Sequence, residues 1–322
     1  MCWPVRAEIW GSIGHRAEED YATIAHEISC FEPVTMVATE ATAHRAAEMC
    51  GSGIEIEVLP IDDSWARDTG PIFVVDEEVD GSRTGRTALD WRFNSWGGKF
   101  LPYDDDARLA ERWCERRGEN RRALDMVLEG GAIATDGQGT LLTTQQCLLH
   151  PNRNPGLSRT DIEAALRAEL AVTEIVWLPV GLALDDDTDG HVDNVAAFAA
   201  PRVVLLQGCD DPDRDDHART ELNRRWLERS LDARGRELEV VVVPVLPFRE
   251  VDGEEVAVPY LNLYVCNGGV IVPTCGHPAD DDMLGIIADQ FPDRQVVPVP
   301  GDVLALGGGG PHCITQQVPA CG

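Results

Sequence analysis

The residues of this chain best suited to chemistry are a cysteine behind a glycine run, a histidine in an acidic stretch, and carboxylates beside tight turns. Cys313 closes the run Leu306-Gly307-Gly308-Gly309-Gly310-Pro311-His312-Cys313. Glycines let the backbone approach a ligand closely. A thiol presented at such a turn is a candidate nucleophile where its surroundings support the thiolate. His191 and Asp193 form His-x-Asp after Asp185-Asp186-Asp187-Thr188-Asp189-Gly190, Glu129 opens Glu129-Gly130-Gly131, and Asp68 follows Trp65-Ala66-Arg67. Each has a plain reading: a loop before a core strand for the cysteine, an ion pair for Arg67 and Asp68, a turn for Glu-Gly-Gly, a solvated surface for the histidine. Together they supply a nucleophile, an acid–base group and three carboxylates, the roles one reaction needs.

Such a set suits a planar cation. A guanidinium offers a fork of donors that carboxylates accept in pairs. Carboxylates on two of its edges would fix its plane and turn the central carbon toward the sulfur. The cation would also help the thiol ionise. His191 could then protonate departing ammonia and afterwards activate water.

Metal and phosphate chemistry fit less well. The acidic run imitates the start of a calcium loop, but its twelfth position is Ala196 instead of a bidentate glutamate. A metallohydrolase using His191, Asp193, Glu129 and Cys313 lacks the usual paired ligand spacing, and stands as an alternative. The glycine run lacks the Lys-Ser/Thr tail of a phosphate loop. No metal and no cofactor is expected.

Composition points the same way. With 56 acidic against 27 basic residues, the 322-residue chain carries a formal charge of −29, and Lys99 is its only lysine. That excess repels nucleic acid and anionic membranes and concentrates small cations. Adaptation to a salty cytoplasm would give the same balance. Ten cysteines are scattered without a C-x-x-C pair, which argues against a disulfide scaffold or a zinc ribbon. The first twenty residues have no apolar core of a signal peptide. The longest apolar stretch, 240–248, is too short to span a bilayer. The expectation is a reduced, cytoplasmic protein in a single domain over residues 1–322.

The elements that must position these residues recur. Five times a helix-like segment leads to a β-branched strand and then to a polar loop. The helices are expected at 41–50, 104–118, 159–170, 213–234 and 279–290, with strands at 54–59, 124–128, 172–178, 238–246 and 295–299. The loops follow as 62–68, 129–131, 185–194, 248–250 and, after a further strand expected at 302–306, the stretch ending at Cys313. A period of roughly 55 to 65 residues repeated five times suggests a closed ring with its loops meeting at the middle. Residues 77–87 read as an exposed hairpin.

Taken with their contexts, these motifs identify a family. Asp62-Asp63-Ser64-Trp65-Ala66-Arg67-Asp68-Thr69-Gly70-Pro71, Phe93-Asn94-Ser95-Trp96-Gly97-Gly98-Lys99, Glu129-Gly130-Gly131, Thr188-Asp189-Gly190-His191-Val192-Asp193-Asn194 and Gly308-Gly309-Gly310-Pro311-His312-Cys313-Ile314-Thr315-Gln316-Gln317 occur in this order. The chain resembles the agmatine deiminase and bacterial peptidylarginine deiminase branch of the guanidine-modifying (pentein) superfamily. The resemblance implies a five-bladed, pseudo-symmetric α/β propeller and hydrolysis of agmatine to N-carbamoylputrescine and ammonia, a step toward putrescine. It makes Cys313 the nucleophile of an amidino-cysteine intermediate, with His191 and Glu129 handling proton transfer and positioning. Asp68 and Asp193 would hold the guanidinium, and Trp65 and Trp96 would wall its alkyl chain, although plain core packing also suits both tryptophans. The implied partner is a small cationic guanidine, and the assembly a homo-oligomer. A deiminase of another guanidine, peptidyl-arginine included, and a non-catalytic guanidine or polyamine binder are the alternatives. Two departures stand out: Gly310-Pro311 replaces the usual Asn-Ile, and few residues precede Trp3-Pro4.

Overall fold

The computed structural model describes residues 1–75, 78–79, 82–83 and 85–320. It is an α/β fold of five small units. In units two to five an antiparallel strand pair is followed by a helix and a third strand. That third strand lies parallel to the middle one, an arrangement that requires a crossover. Unit three shows the pattern: Ile133–Thr135 pairs antiparallel with Thr140–Thr144, and helix Arg159–Leu170 returns the chain to Glu174–Leu178, parallel to the middle strand. Units two, four and five repeat it around middle strands Arg86–Arg92, Val203–Gln207 and Gly269–Thr274. In unit one the N-terminus replaces the first strand. Met1 and Trp3 exchange backbone hydrogen bonds with Val37 on Thr35–Ala38, which pairs parallel with Glu55–Val58.

The ring closes through its cores. Side chains alternate across a strand, so each middle strand faces both neighbours. Leu141 packs with Trp91 and Met126 of unit two, whereas Leu142 packs with Val204 and Leu206 of unit four. Leu205 and Val243 share a core with Val270 and Val272 of unit five. Ile271, Val297 and Val299 then join Trp3, Tyr21 and Met36 of unit one, and Val37 and Leu59 join Leu109 of unit two. Five shared cores link five units, the fifth to the first.

Local chemistry explains where the elements begin. Helix Arg159–Leu170 carries the expected bounds and a capping box: Ser158 Oγ accepts from the Asp161 N–H, and Asp161 Oδ2 accepts from the Ser158 N–H at 2.9 Å. Such a cap is worth about 1 kcal/mol. Two expectations need correction. Residues Asp302–Leu306 form a short helix; five mostly apolar residues are too few for periodicity to separate helix from strand. The segment at 248–250 is no central loop, because Phe248–Val251 pairs with Glu254–Ala257 as an antiparallel hairpin. The hairpin expected at 77–87 lies partly outside the described residues; within them Glu78–Val79 pairs with Ser82–Arg83. Among the described residues no helix is long and apolar enough to cross a membrane, and all nine described cysteines are free thiols.

Candidate active site

The polar loops leave the C-terminal ends of the third strands, which is why residues distant in sequence meet. After Glu55–Val58 the chain enters the short helix Ala66–Thr69, which buries Asp68. After Arg121–Val127 comes Glu129, fully buried, and after Glu174–Leu178 come His191 and Asp193. Cys313 follows the last unit and is also buried.

Asp68 is fixed at both oxygens: Trp96 Nε1 donates to Oδ2 at 2.9 Å and the Gly131 N–H donates to Oδ1 at 2.8 Å. Burial, together with the charges of Asp193 and Glu129, lifts its pKa to about 6 against the pull of His191. The His191 ring sits between carboxylates, Nδ1 3.8 Å from Asp68 Oδ2 and Nε2 4.0 Å from Glu129 Oε2. Burial opposes its charged form, but Asp68, Cys147 and Glu129 hold its pKa well above the usual range. Asp193 Oδ2 accepts from His312 Nδ1 at 2.8 Å and lies 3.4 Å from Cys313 Sγ. Burial works against its charge, yet the two histidines keep its pKa below normal. The Cys313 thiol is pushed well above normal, by burial first and then by Asp193 and Asp68.

Gly131 shows how tightly these groups converge. A Cβ there would lie 2.5 Å from His191 Nδ1, 2.9 Å from Asp193 Oδ2 and 3.0 Å from Asp68 Oδ1. Both His191 nitrogens, Glu129 Oε2 and Asp193 Oδ1 are buried with no hydrogen-bond partner among the described residues. Buried polar atoms are rarely left so. The two carboxylate oxygens among them, Glu129 Oε2 and Asp193 Oδ1, are acceptors that a ligand rich in N–H donors would satisfy.

The acidic run is taken up in holding this loop. Asp185 Oδ1 accepts from the Thr188 N–H, and Oδ2 accepts from the His191 N–H and Asn194 Nδ2, each at 3.1 Å. Lys99 pairs with Asp189 at 2.8 Å. Arg67 does not pair with Asp68. Its backbone N–H donates to the Cys313 carbonyl, its Nε to the His312 carbonyl and its Nη1 to Gln317, so it latches the loop that carries Cys313. Pro311 opens a turn closed by Ile314 N–H on the Gly310 carbonyl, a position where the missing proline N–H takes nothing away.

Trp65 and Trp96 both pack in the core and both line a narrow cleft. Ile9, Phe100, Asp187 and Gly308 complete its walls, and Asp68 and Cys313 lie at its base. Trp96 reaches Asp68 through a left-handed turn, with φ of 56° at Ser95 and 51° at Trp96. Such backbone costs about 1–3 kcal/mol per residue and clusters at functional sites. A second cavity of about 400 Å³ borders Asp193, His312 and Arg67.

Sequence reasoning missed four residues. Arg153, in a loop that reads as surface, is buried. Its Nε donates to Glu129 Oε1 at 2.6 Å, and its other nitrogens reach Asp189, Asn152 and the Trp96 and Thr188 carbonyls. His312 stands in the quoted motif without a role. Asn262 is an isolated amide within an apolar run. Cys147 is buried, and its sulfur, a His191 nitrogen and a Glu129 oxygen lie within 4.8 Å of one another. Those three are the residues that could hold a soft metal ion. A metal needs neutral imidazole, whereas the carboxylates of Asp68 and Glu129 beside the ring favour its protonated form.

The family model of Porphyromonas-type peptidyl-arginine deiminase matches residues 1–319. Over 99% of its length the chain is 41% identical to the agmatine deiminase of Pseudomonas aeruginosa strain LESB58, covering 92% of that protein. The agmatine deiminase of Stutzerimonas stutzeri strain A1501 is also 41% identical, with the same 99% and 92% coverage. The solved structure of the agmatine deiminase of Enterococcus faecalis matches with a TM-score of 0.93 at 33% identity, over 99% of this chain and 92% of that one.

Proposed function

The chain belongs to the Porphyromonas-type peptidyl-arginine deiminase family, and from that premise we propose that it hydrolyses the guanidinium of agmatine, giving N-carbamoylputrescine and ammonia. The observation that carries this reading is the set of buried, unpartnered acceptors of Glu129 and Asp193 beside a thiol and a charged imidazole. A guanidinium brings the N–H donors those acceptors lack.

In this account Asp68 and Asp193 accept from opposite edges of the guanidinium, and Glu129 accepts from a third side. The arriving positive charge offsets the two carboxylates that keep Cys313 protonated, so the thiol ionises as substrate binds. Cys313 Sγ attacks the central carbon, forming a C–S bond and a tetrahedral adduct. His191, already protonated, gives its proton to the departing nitrogen, and the C–N bond breaks to release ammonia. The neutral ring then takes a proton from water, and the hydroxide adds to the amidino-thioether carbon. Collapse expels the sulfur, which takes up the hydroxyl proton and returns to the thiol, leaving the neutral ureido group; the proton the thiol first lost leaves with ammonia as ammonium. The cavity beside Asp193 and His312 offers room for that water while the substrate's chain fills the cleft.

Trp65, Trp96 and Phe100 line a cleft of only about 10 Å³, so a substrate's alkyl chain would have to part them, and Asp187 on the same lining could accept from a terminal ammonium. Ammonia release from agmatine, free arginine and a capped arginine peptide is the test. Faster turnover of the peptide would move the assignment to a protein modifier, and tight agmatine binding without ammonia would make the chain a binder. A homo-oligomer acting in the cytoplasm completes the proposal, with light scattering on the purified protein as the check on assembly.

A further inference from the structure

The loops bearing Asp68, Glu129, His191, Asp193 and Cys313 come from units one, two, three and five. Unit four also contributes, through Asn262, which lies between its hairpin and strand Tyr264–Cys266 and is fully buried. Its side chain grips the nucleophile turn from both ends. Oδ1 accepts from the backbone N–H groups of His312 at 3.1 Å and Cys313 at 3.3 Å. Nδ2 donates to Cys313 Sγ at 3.0 Å and to Asn194 Oδ1 at 2.9 Å. The orientation of this amide is determined by its surroundings. Two backbone donors face the oxygen, and Asn194, whose own Nδ2 donates to Asp185, offers its oxygen to the nitrogen. Flipping Asn262 would oppose donor to donor and acceptor to acceptor. The loop can lie this close because residue 310 has no side chain: a Cβ there would sit 2.7 Å from Asn262 Oδ1.

The sulfur needs such a donor. Asp193 is 3.4 Å away and Asp68 is near, both negative, and both disfavour the thiolate. We infer that Asn262 is a positioning residue for the nucleophile: its N–H stabilises the sulfur of Cys313 as charge develops there, and its carbonyl oxygen fixes the turn that aims the sulfur between Asp68 and Asp193. This rests on the reading of Cys313 as the nucleophile.

Asn262→Asp separates the two parts of the role. It keeps an oxygen for the His312 and Cys313 N–H groups but puts a carboxylate where the sulfur met a donor. A hydrogen bond to a charged partner corresponds to about one to two pH units. The variant should therefore move both the pH profile of kcat/KM for agmatine and the pH dependence of Cys313 alkylation by iodoacetamide alkaline by that amount, the latter read on the Cys313 peptide. KM at the shifted optimum should change little. Asn262→Ala removes donor and acceptor together, so it should show the same alkaline shift with a lower melting temperature, and it serves if the aspartate variant does not fold. Unshifted profiles in a folded variant would overturn the inference and leave Asn262 a structural residue. Cys313→Ala in the parent background keeps the readings apart: turnover surviving there would remove the nucleophile assignment whatever Asn262 does.

Discussion

Gly131→Ala is a one-carbon change aimed at the centre of the site. The backbone of residue 131 is not among the positive-φ glycines, so alanine brings no conformational strain, and its N–H can still donate to Asp68. The cost lies in where the methyl lands, 2.5 Å from His191 Nδ1 with Asp193 and Asp68 oxygens at 2.9 and 3.0 Å. An ordinary carbon contact is about 3.5 Å, so the imidazole must retreat by about 1 Å or the carboxylates must part. Misplacing a reacting group by about 1 Å costs on the order of 10²-fold, and overpacking of this kind destabilises by about 1–3 kcal/mol. At about 2 °C per kcal/mol for a chain of this size, the variant should melt only a few degrees lower while kcat/KM for agmatine falls about a hundredfold. Ammonia release and a thermal melt measure both. A folded variant with kcat/KM within a few-fold of the parent would show that Asp68, His191 and Asp193 do not act at this point, and the geometric reasoning would fail.

Other groups give further expectations. Because Asp68 titrates at about 6, kcat/KM should drop as pH falls through that value, where a protonated Asp68 no longer holds the cation; a flat profile down to pH 5 would argue against its role. Arg153→Met strands the buried carboxylate of Glu129, a loss of about 3–5 kcal/mol, so melting should fall and turnover with it; unchanged melting would mean the pair contributes little. Asp106 has a pKa raised to about 8, by burial and then by Asp63. The folded state thus binds its proton more tightly than the unfolded chain, and stability should decline as pH rises from about 4 toward 8. Asp106→Asn should flatten that decline in a melting series, and an identical slope would refute the assignment.

How much of this was legible in the sequence follows from locality. Cys313, His191, Asp193, Glu129 and Asp68 stand out because each lies in a polar or glycine-rich stretch beyond the third strand of a unit, where a parallel crossover exposes its chain. The capped helix Arg159–Leu170 was legible for the same reason, since Ser158 and Asp161 lie three residues apart. Arg153 was not, because nothing beside it in the chain reveals that Glu129 and Asp189 wait for it in the fold. Asn262 was hidden within the apolar residues Leu261 and Leu263, where an amide passes for a core polar exception. The Asp302–Leu306 helix was lost to its brevity, and the first strands of the units were too short to carry a periodic pattern.

The central claim is that the sulfur of Cys313 becomes covalently bound to the guanidinium carbon. Acid quenching during agmatine turnover, followed by peptide mass mapping, tests it most directly. The account predicts an adduct of agmatine less ammonia on the peptide containing Cys313, absent when Cys313→Ala is treated the same way. An adduct on another residue, or continued ammonia release by the alanine variant, would contradict it.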